Sequence, residues 1–182
     1  MKKQQKQLFI LIIILFLVGI VLWGVEHYNQ VQSQATAEDT DIVVADVTSE
    51  EIQRLTYDYD SEHNILVKKQ DVWYDEEEES LSINQTLVEN MLASISPLKA
   101  VSRIDDVTDL EQYGLKNPQR TISFETASQT YQYQVGDYNS VSGIYYLKEP
   151  ESNTVYVVSS VTVTRFNKSL EDLVESAEEK TE

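Results

Sequence analysis

Three acidic residues with regular spacing are the first candidates for chemistry in this sequence. Asp58, Asp60 and Glu62 have the spacing of the first three ligands of a calcium-binding loop. However, His63 stands where that loop requires glycine, and Lys69 stands where it requires a bidentate glutamate. We therefore expect residues 60–64 to form an ordinary hairpin turn that binds no metal.

Other catalytic and metal-binding patterns are missing from the sequence. The chain has two histidines and no cysteine, which leaves no zinc triad, thiolate ligand or cysteine nucleophile. It contains neither a nucleophile elbow nor a phosphate-binding loop, and it has only five glycines. Consecutive acids at residues 75–79 repel one another, so we expect a solvated loop there. The sequence thus predicts a protein that is not an enzyme and binds no cofactor.

Tyrosine is the residue type that could still form a binding surface. The chain has eleven tyrosines, most of them in its second half. Alternation along a strand places Tyr131 and Tyr133 on one face of a sheet, whereas the adjacent Tyr145 and Tyr146 must point to opposite faces. Two interpretations stay open: the tyrosines fill the core, or they line a groove for a peptide or a cell-wall glycan. The candidate surface consists of Tyr131, Tyr133, Tyr138, Tyr145 and Tyr146.

An uninterrupted apolar segment occupies residues 8–25 and contains no charged side chain. A helix of that length extends about 27 Å, close to the hydrocarbon thickness of about 30 Å in a bilayer. Lys2, Lys3 and Lys6 precede the segment, so residues 1–7 should stay in the cytoplasm. We predict a single-pass anchor in the cell membrane with an extracellular carboxyl-terminal part. A cleaved secretory signal is the alternative, but its small-x-small site would be at residues 35–37, well beyond the apolar run.

The sequence after the apolar segment divides by composition. Residues 26–41 are polar and lack apolar periodicity, which predicts a flexible stalk. A domain is expected over residues 42–176, with lobes at about 42–104 and 105–176, followed by a tail at 177–182. All 31 Asp and Glu residues follow residue 25, whereas three of the 14 Lys and Arg residues precede it, so the part outside the membrane has a formal charge of −20. This charge disfavours nucleic acid and anionic lipid headgroups and favours basic partners.

Patterning within the domain predicts the α+β class, with antiparallel strands covered on one face by helices. One segment has apolar residues at intervals of three and four, which is the clearest helical pattern of the domain. Asn84 should cap this helix and Pro97 should end it. Capping boxes at residues 108–111 and 169–172 predict short helices, and residues 159–167 fit either a strand or a helix. Each half consists of strands followed by a helix, so a structural duplication is a hypothesis. The predicted strands are residues 42–44, 52–59, 65–69, 72–74, 120–126, 130–135, 144–148 and 154–158, with a loop at 136–143.

A spaced set of residues resembles a known family. Trp73 precedes the predicted helix, and the motif Tyr113-Gly114-Leu115-x-x-Pro118 follows it, with Gly136-Asp137 further on. Over roughly residues 45–175 this pattern resembles the bacterial "domain of unknown function 4340" family. The resemblance implies a membrane-anchored extracytoplasmic protein, and it links some members to auxiliary components of gliding-type ABC transport systems. It implies no catalytic residue.

The motif also has a structural explanation that requires no ligand. Gly114 can end a short helix in the left-handed conformation, Leu115 can fold back onto that helix, and Pro118 prevents its continuation. Gly136-Asp137 is expected to be a strand-ending turn. The sequence therefore predicts a non-catalytic accessory or scaffold protein of the envelope, whose partners are the membrane and an envelope or transporter protein, with no nucleic acid. A module that binds peptide or glycan through the tyrosines is the alternative.

Overall fold

The structure, a computed structural model, describes residues 41–175. The predicted membrane segment 8–25, the stalk up to residue 40 and the tail 177–182 lie outside these described residues. Within residues 41–175, each helix is too short or too polar to cross a bilayer.

The described residues form ten strands and four short helical elements. The first half contains β1 (Ile42–Ala45), β2 (Arg54–Tyr59), β3 (Glu62–Lys69), β4 (Val72–Asp75), α1 (Gln85–Leu92), β5 (Leu98–Ala100) and β6 (Ser102–Ile104). The second half contains a 3-10 turn (Glu111–Tyr113), β7 (Arg120–Glu125), β8 (Thr130–Asn139), β9 (Ile144–Lys148), β10 (Val155–Ser159), α2 (Ser160–Thr164) and α3 (Leu170–Leu173).

Eight of the strands form one antiparallel sheet in the order β4-β3-β2-β7-β8-β9-β10-β6, and β1 pairs with β5 separately. Mostly antiparallel sheet with a few helices is the α+β class that the sequence predicts. Strand β2 joins the two halves by pairing with β7, with Leu55 opposite Phe124. Strand β6, from the first half, pairs with β10 at the far edge. The boundary predicted near residue 104 therefore does not separate two sheets.

One face of the large sheet carries the main core. Leu55, Leu66 and Phe124 point into it from neighbouring strands and are fully buried. Residues of α1, α2, α3 and the β1–β5 pair pack against this face. Phe166, from the connection between α2 and α3, packs there too, and its ring meets Tyr57 edge-on at 5.7 Å. Each such large apolar side chain contributes about 1.5–3 kcal/mol through burial. The opposite face presents polar residues such as Thr56 and Ser123, because successive side chains alternate.

Helix ends confirm two predicted caps and correct a third. The Asn84 side chain accepts a hydrogen bond from the Leu87 amide at 3.1 Å, and Ser169 forms a reciprocal capping box with Asp172. The capping box predicted at residues 108–111 is wrong: the 3-10 turn begins after Leu110, which makes no side-chain cap hydrogen bond. The amide of Glu111 donates to the Asp109 side chain at 3.0 Å, and not to the side chain of Thr108 as a capping box would require.

Two further segments differ from the sequence predictions, and a third resolves an open alternative. Strand β3 begins at Glu62, so the β2–β3 turn is reduced to two residues, Asp60 and Ser61, both with positive φ as in a type I′ hairpin. Of the two alternatives left open for residues 159–167, the structure shows the helix, because α2 begins directly after β10 ends at Ser159. The loop predicted at residues 136–143 is also wrong in its first part, because β8 continues to Asn139 through an irregularity between Val135 and Tyr138.

Candidate functional site

The Tyr113–Leu115 segment folds as the residue types predict. Gly114 follows the 3-10 turn with φ of 68°, a left-handed conformation that glycine adopts without a steric penalty. Its amide donates to the carbonyl of Glu111 at 3.1 Å. The Leu115 amide then donates back to Leu110 at 2.9 Å, so the leucine side chain turns inward. The predicted helix end is confirmed.

The second part of the motif lies directly against the first. A Cβ atom on Gly136 would overlap the Tyr113 carbonyl oxygen and lie 2.9 Å from Leu115 Cγ. A Cβ atom on Gly114 would overlap the Asp137 carboxylate and lie 2.7 Å from the Asp137 amide nitrogen. The two glycines therefore permit contact between a loop and a strand that are distant in sequence. The prediction that Gly136 and Asp137 form a strand-ending turn is wrong. They form an irregularity inside β8, which continues beyond them.

A small apolar cluster forms where these segments meet. Leu115 is 1% exposed and packs with Val107 and Val155, separately from the main core. Tyr113 and Tyr146 border this cluster with their rings edge-on at 5.0 Å. Pro118 precedes β7 and directs the chain into it. Packing accounts for these motif residues, while Trp73 lies apart from them on edge strand β4.

The five candidate tyrosines do not share one surface. Tyr133 is 1% exposed and belongs to the main core, and Tyr131 stacks on Phe124 with ring centroids 4.9 Å apart. Tyr146 borders the small cluster on the other face of the sheet. Only Tyr138 is substantially accessible, at 49%, and its ring lies 4.9 Å from that of the partly buried Tyr145. An aromatic ligand surface would thus be limited to the Tyr138–Tyr145 pair.

Two tyrosine hydroxyls have a pKa that is changed by burial. Burial raises the pKa of Tyr57 and of Tyr133 well above the ordinary value of about 10. Neither hydroxyl has a hydrogen-bond partner among the described residues, and the same holds for the amide nitrogen of Asn64. Both hydroxyls are therefore held neutral by desolvation.

We expect alkaline pH to destabilise the fold through these two tyrosines. A tyrosine in the unfolded chain loses its proton near pH 10, whereas Tyr57 and Tyr133 keep theirs when folded. The unfolded state then binds fewer protons, so stability falls as pH rises above about 10. Melting temperature against pH, with ultraviolet absorbance of tyrosinate, measures this. The Tyr57→Phe, Tyr133→Phe double variant should show a shallower decline, and an unchanged slope would contradict the assignment.

The acids singled out in the sequence have structural partners. Asp58 bonds His63 Nδ1 at 2.6 Å and accepts from the Thr121 amide at 2.8 Å. This Asp–His pair was not predicted, although a two-residue hairpin turn places positions 58 and 63 opposite each other. Asp75 is buried and accepts from the amides of Glu77 and Glu78, which corrects the expectation that all of residues 75–79 are solvated. Across residues 41–175, no three His, Asp or Glu side chains cluster as metal ligands would.

Two clefts adjoin edge strand β4 and share Trp73 and Gln85 in their walls. The larger one is about 590 Å³, between α1, the β3–β4 hairpin and residues Ser49 and Glu50. The smaller one is about 300 Å³ and runs along residues Glu79–Ile83. A third cleft of about 340 Å³ separates α1 from α2, with Arg165 and Lys168 at its rim.

Residues 73–181 match the family described as "Domain of unknown function (DUF4340)". The chain belongs to this family. The match to the domain of unknown function 4340 family begins at Trp73 and includes the Tyr113–Pro118 and Gly136-Asp137 motifs that first indicated it. Strands β1, β2 and β3 precede the matched region. No curated protein and no solved structure matches the chain.

Proposed function

We propose that this domain of unknown function 4340 protein is a membrane-anchored, non-catalytic accessory or scaffold protein of the bacterial envelope. Residues 8–25 cross the cell membrane once, residues 1–7 stay in the cytoplasm, and the folded domain is extracytoplasmic. The observation that carries the proposal is the uncharged apolar segment, preceded by three lysines and followed by a strongly acidic chain.

The structural roles of the polar residues support a non-catalytic protein. Asp58 and His63 bond each other. Asp172 completes the capping box that Ser169 forms at the start of α3, and hydrogen bonds from Ser169 lower the pKa of Asp172. The motif glycines permit close packing of the Tyr113–Leu115 segment against Gly136 and Asp137. A contribution to an envelope assembly requires instead a partner surface, and the β8–β9 hairpin offers Tyr138 and the 97% exposed Val141.

Cell fractionation with protease accessibility tests the anchor. We expect the full-length chain to remain with membranes after alkaline carbonate extraction, and external protease to digest it in intact cells stripped of their wall. Deleting residues 8–25 should transfer the protein to the soluble cytosolic fraction, because nothing else in the sequence is long and apolar enough to replace the span. Deleting residues 177–182 is the control and should change nothing. A full-length chain recovered from the cytosol would refute the proposal.

Crosslinking in membranes tests the accessory role. A reproducible membrane-protein partner, such as the transporter subunit that the resemblance implies, supports it. Retention of the protein on purified cell-wall glycan, lost on Tyr138→Ala, would instead support the alternative binding module. The burial of Tyr133 already removes much of the aromatic surface on which that alternative depends.

A further inference from the structure

Strand β4 is an edge of the large sheet, yet a side chain already bonds its outer backbone groups. The Trp73 amide donates to Gln85 Oε1 at 2.8 Å, and Gln85 Nε2 donates to the Trp73 carbonyl at 3.0 Å. A primary amide offers the same donor and acceptor as a peptide group. Gln85 therefore occupies the place that the backbone of a further strand would take beside Trp73.

Space for more than one peptide group lies around this contact. The clefts of about 590 Å³ and 300 Å³ both include Trp73 and Gln85 in their walls. The smaller cleft also includes Val72 and Tyr74, so it follows the length of β4. The remaining wall comes from residues Glu79–Ile83 and from Glu175, which do not pair with β4 in the sheet. An extended segment can therefore lie along this edge once Gln85 moves aside.

The charges around the edge specify the partner. Glu50, Asp71 and Glu89 line the larger cleft, and Glu79 and Glu175 line the smaller one. Against these, Lys68 lies 5.9 Å from the Trp73 ring centroid while donating to the Glu50 carbonyl, and Lys69 pairs with Glu79. The cleft thus already binds an ammonium group of the chain itself, against a net negative rim. A basic segment complements these charges, whereas an acidic one is repelled.

We propose that the β4 edge binds an extended, basic segment of a partner protein as an added strand, which displaces the Gln85 amide. Backbone hydrogen bonds to Trp73 supply the register, and lysine or arginine side chains face the carboxylates of the two clefts. This proposal rests on the proposed accessory role and specifies which surface of the domain binds the partner. Its test does not involve the anchor, so it can fail while the fractionation result stands.

The experiment titrates the full-length chain, in zwitterionic detergent micelles, with a blocked Lys-Val-Lys-Val-Lys-Val-Lys peptide. Amide and side-chain resonances of Trp73 and Gln85 should shift on binding. A matched Lys-Pro-Lys-Pro-Lys-Pro-Lys peptide has the same charge but cannot pair as a strand, so it should bind at least about tenfold more weakly. Equal affinity for the two peptides would reduce the interaction to charge attraction and overturn the proposal.

Variants separate the edge from the general acidity of the chain. Gln85→Ala should raise affinity for the lysine-valine peptide about fivefold, because the competing amide is gone. The Asp71→Asn, Glu89→Gln double variant should lower affinity about threefold. Glu149→Gln, directly after the distant strand β9, is the control and should leave affinity unchanged. No gain with Gln85→Ala, or equal loss with Glu149→Gln, would refute strand addition at β4.

Discussion

Gly136→Ala should lower the free energy of unfolding by about 3 kcal/mol, the upper end of the usual cost of overpacking. The new methyl group would overlap the Tyr113 carbonyl oxygen and press on Leu115 Cγ at 2.9 Å. Neither neighbour can yield easily, because Tyr113 contributes backbone and Leu115 is fully buried. Chemical denaturation followed by circular dichroism measures the loss.

Gly143→Ala and Gly114→Ala separate crowding from backbone strain. Gly143 has φ of 67°, but a Cβ atom there would have no neighbour within 4 Å, so its variant should cost only the left-handed penalty of about 1–2 kcal/mol. Gly114 has nearly the same φ and would also clash with Asp137, so its variant should be the more damaging of the two. If all three alanine variants lost the same stability, the close packing of loop against strand would not be what the glycines provide.

Phe124→Ala should destabilise the fold by about 3–5 kcal/mol and do so in both halves at once. Phe124 lies opposite Leu55 across the β2–β7 junction, and Tyr131 stacks on it from β8. Removing its ring leaves a cavity in the core shared by the two halves. Amide hydrogen exchange should show weakened protection in β3 and β9 alike, because one core connects them.

Ser123→Ala provides the matched control for the Phe124 variant. Ser123 is the neighbouring residue on the same strand and points to the polar face. Its replacement should change stability by less than about 0.5 kcal/mol, as is usual for surface positions. Two separate unfolding transitions in Phe124→Ala, with one half unaffected, would indicate independent lobes and contradict a common core.

Local chemistry made part of this fold predictable from sequence. Asn84, Gly114 and Ser169 each act on backbone groups within a few residues of themselves, so residue type alone indicated the caps. Strand alternation likewise indicated that Tyr145 and Tyr146 would point to opposite faces of the sheet, and the structure places them against different clusters. Fold class followed because these patterns recur along the domain.

Long-range contacts were not accessible in the same way. The irregularity at Gly136 depends on the loop that packs against it. The sequence pattern alone does not include this contact, so it predicts that β8 ends at Val135. The hydrogen bonds between the Gln85 side chain and the Trp73 backbone join two residues whose proximity depends on how α1 packs against the sheet. The family match confirmed the resemblance but assigns no site, so the β4 edge emerged only from three-dimensional contacts.

The placement of β6 has a consequence for how the chain folds. Strand β6 belongs to the first half of the sequence but pairs with β10, near the end of the domain. Strand β2 likewise pairs with β7, which is synthesised much later. Native pairings between such distant segments raise contact order and slow folding. A chain truncated before β10 therefore lacks the strand that pairs with β6 and completes the sheet. We expect such truncated chains to be degraded rapidly, and we expect chains that extend to residue 159 or beyond to be protected.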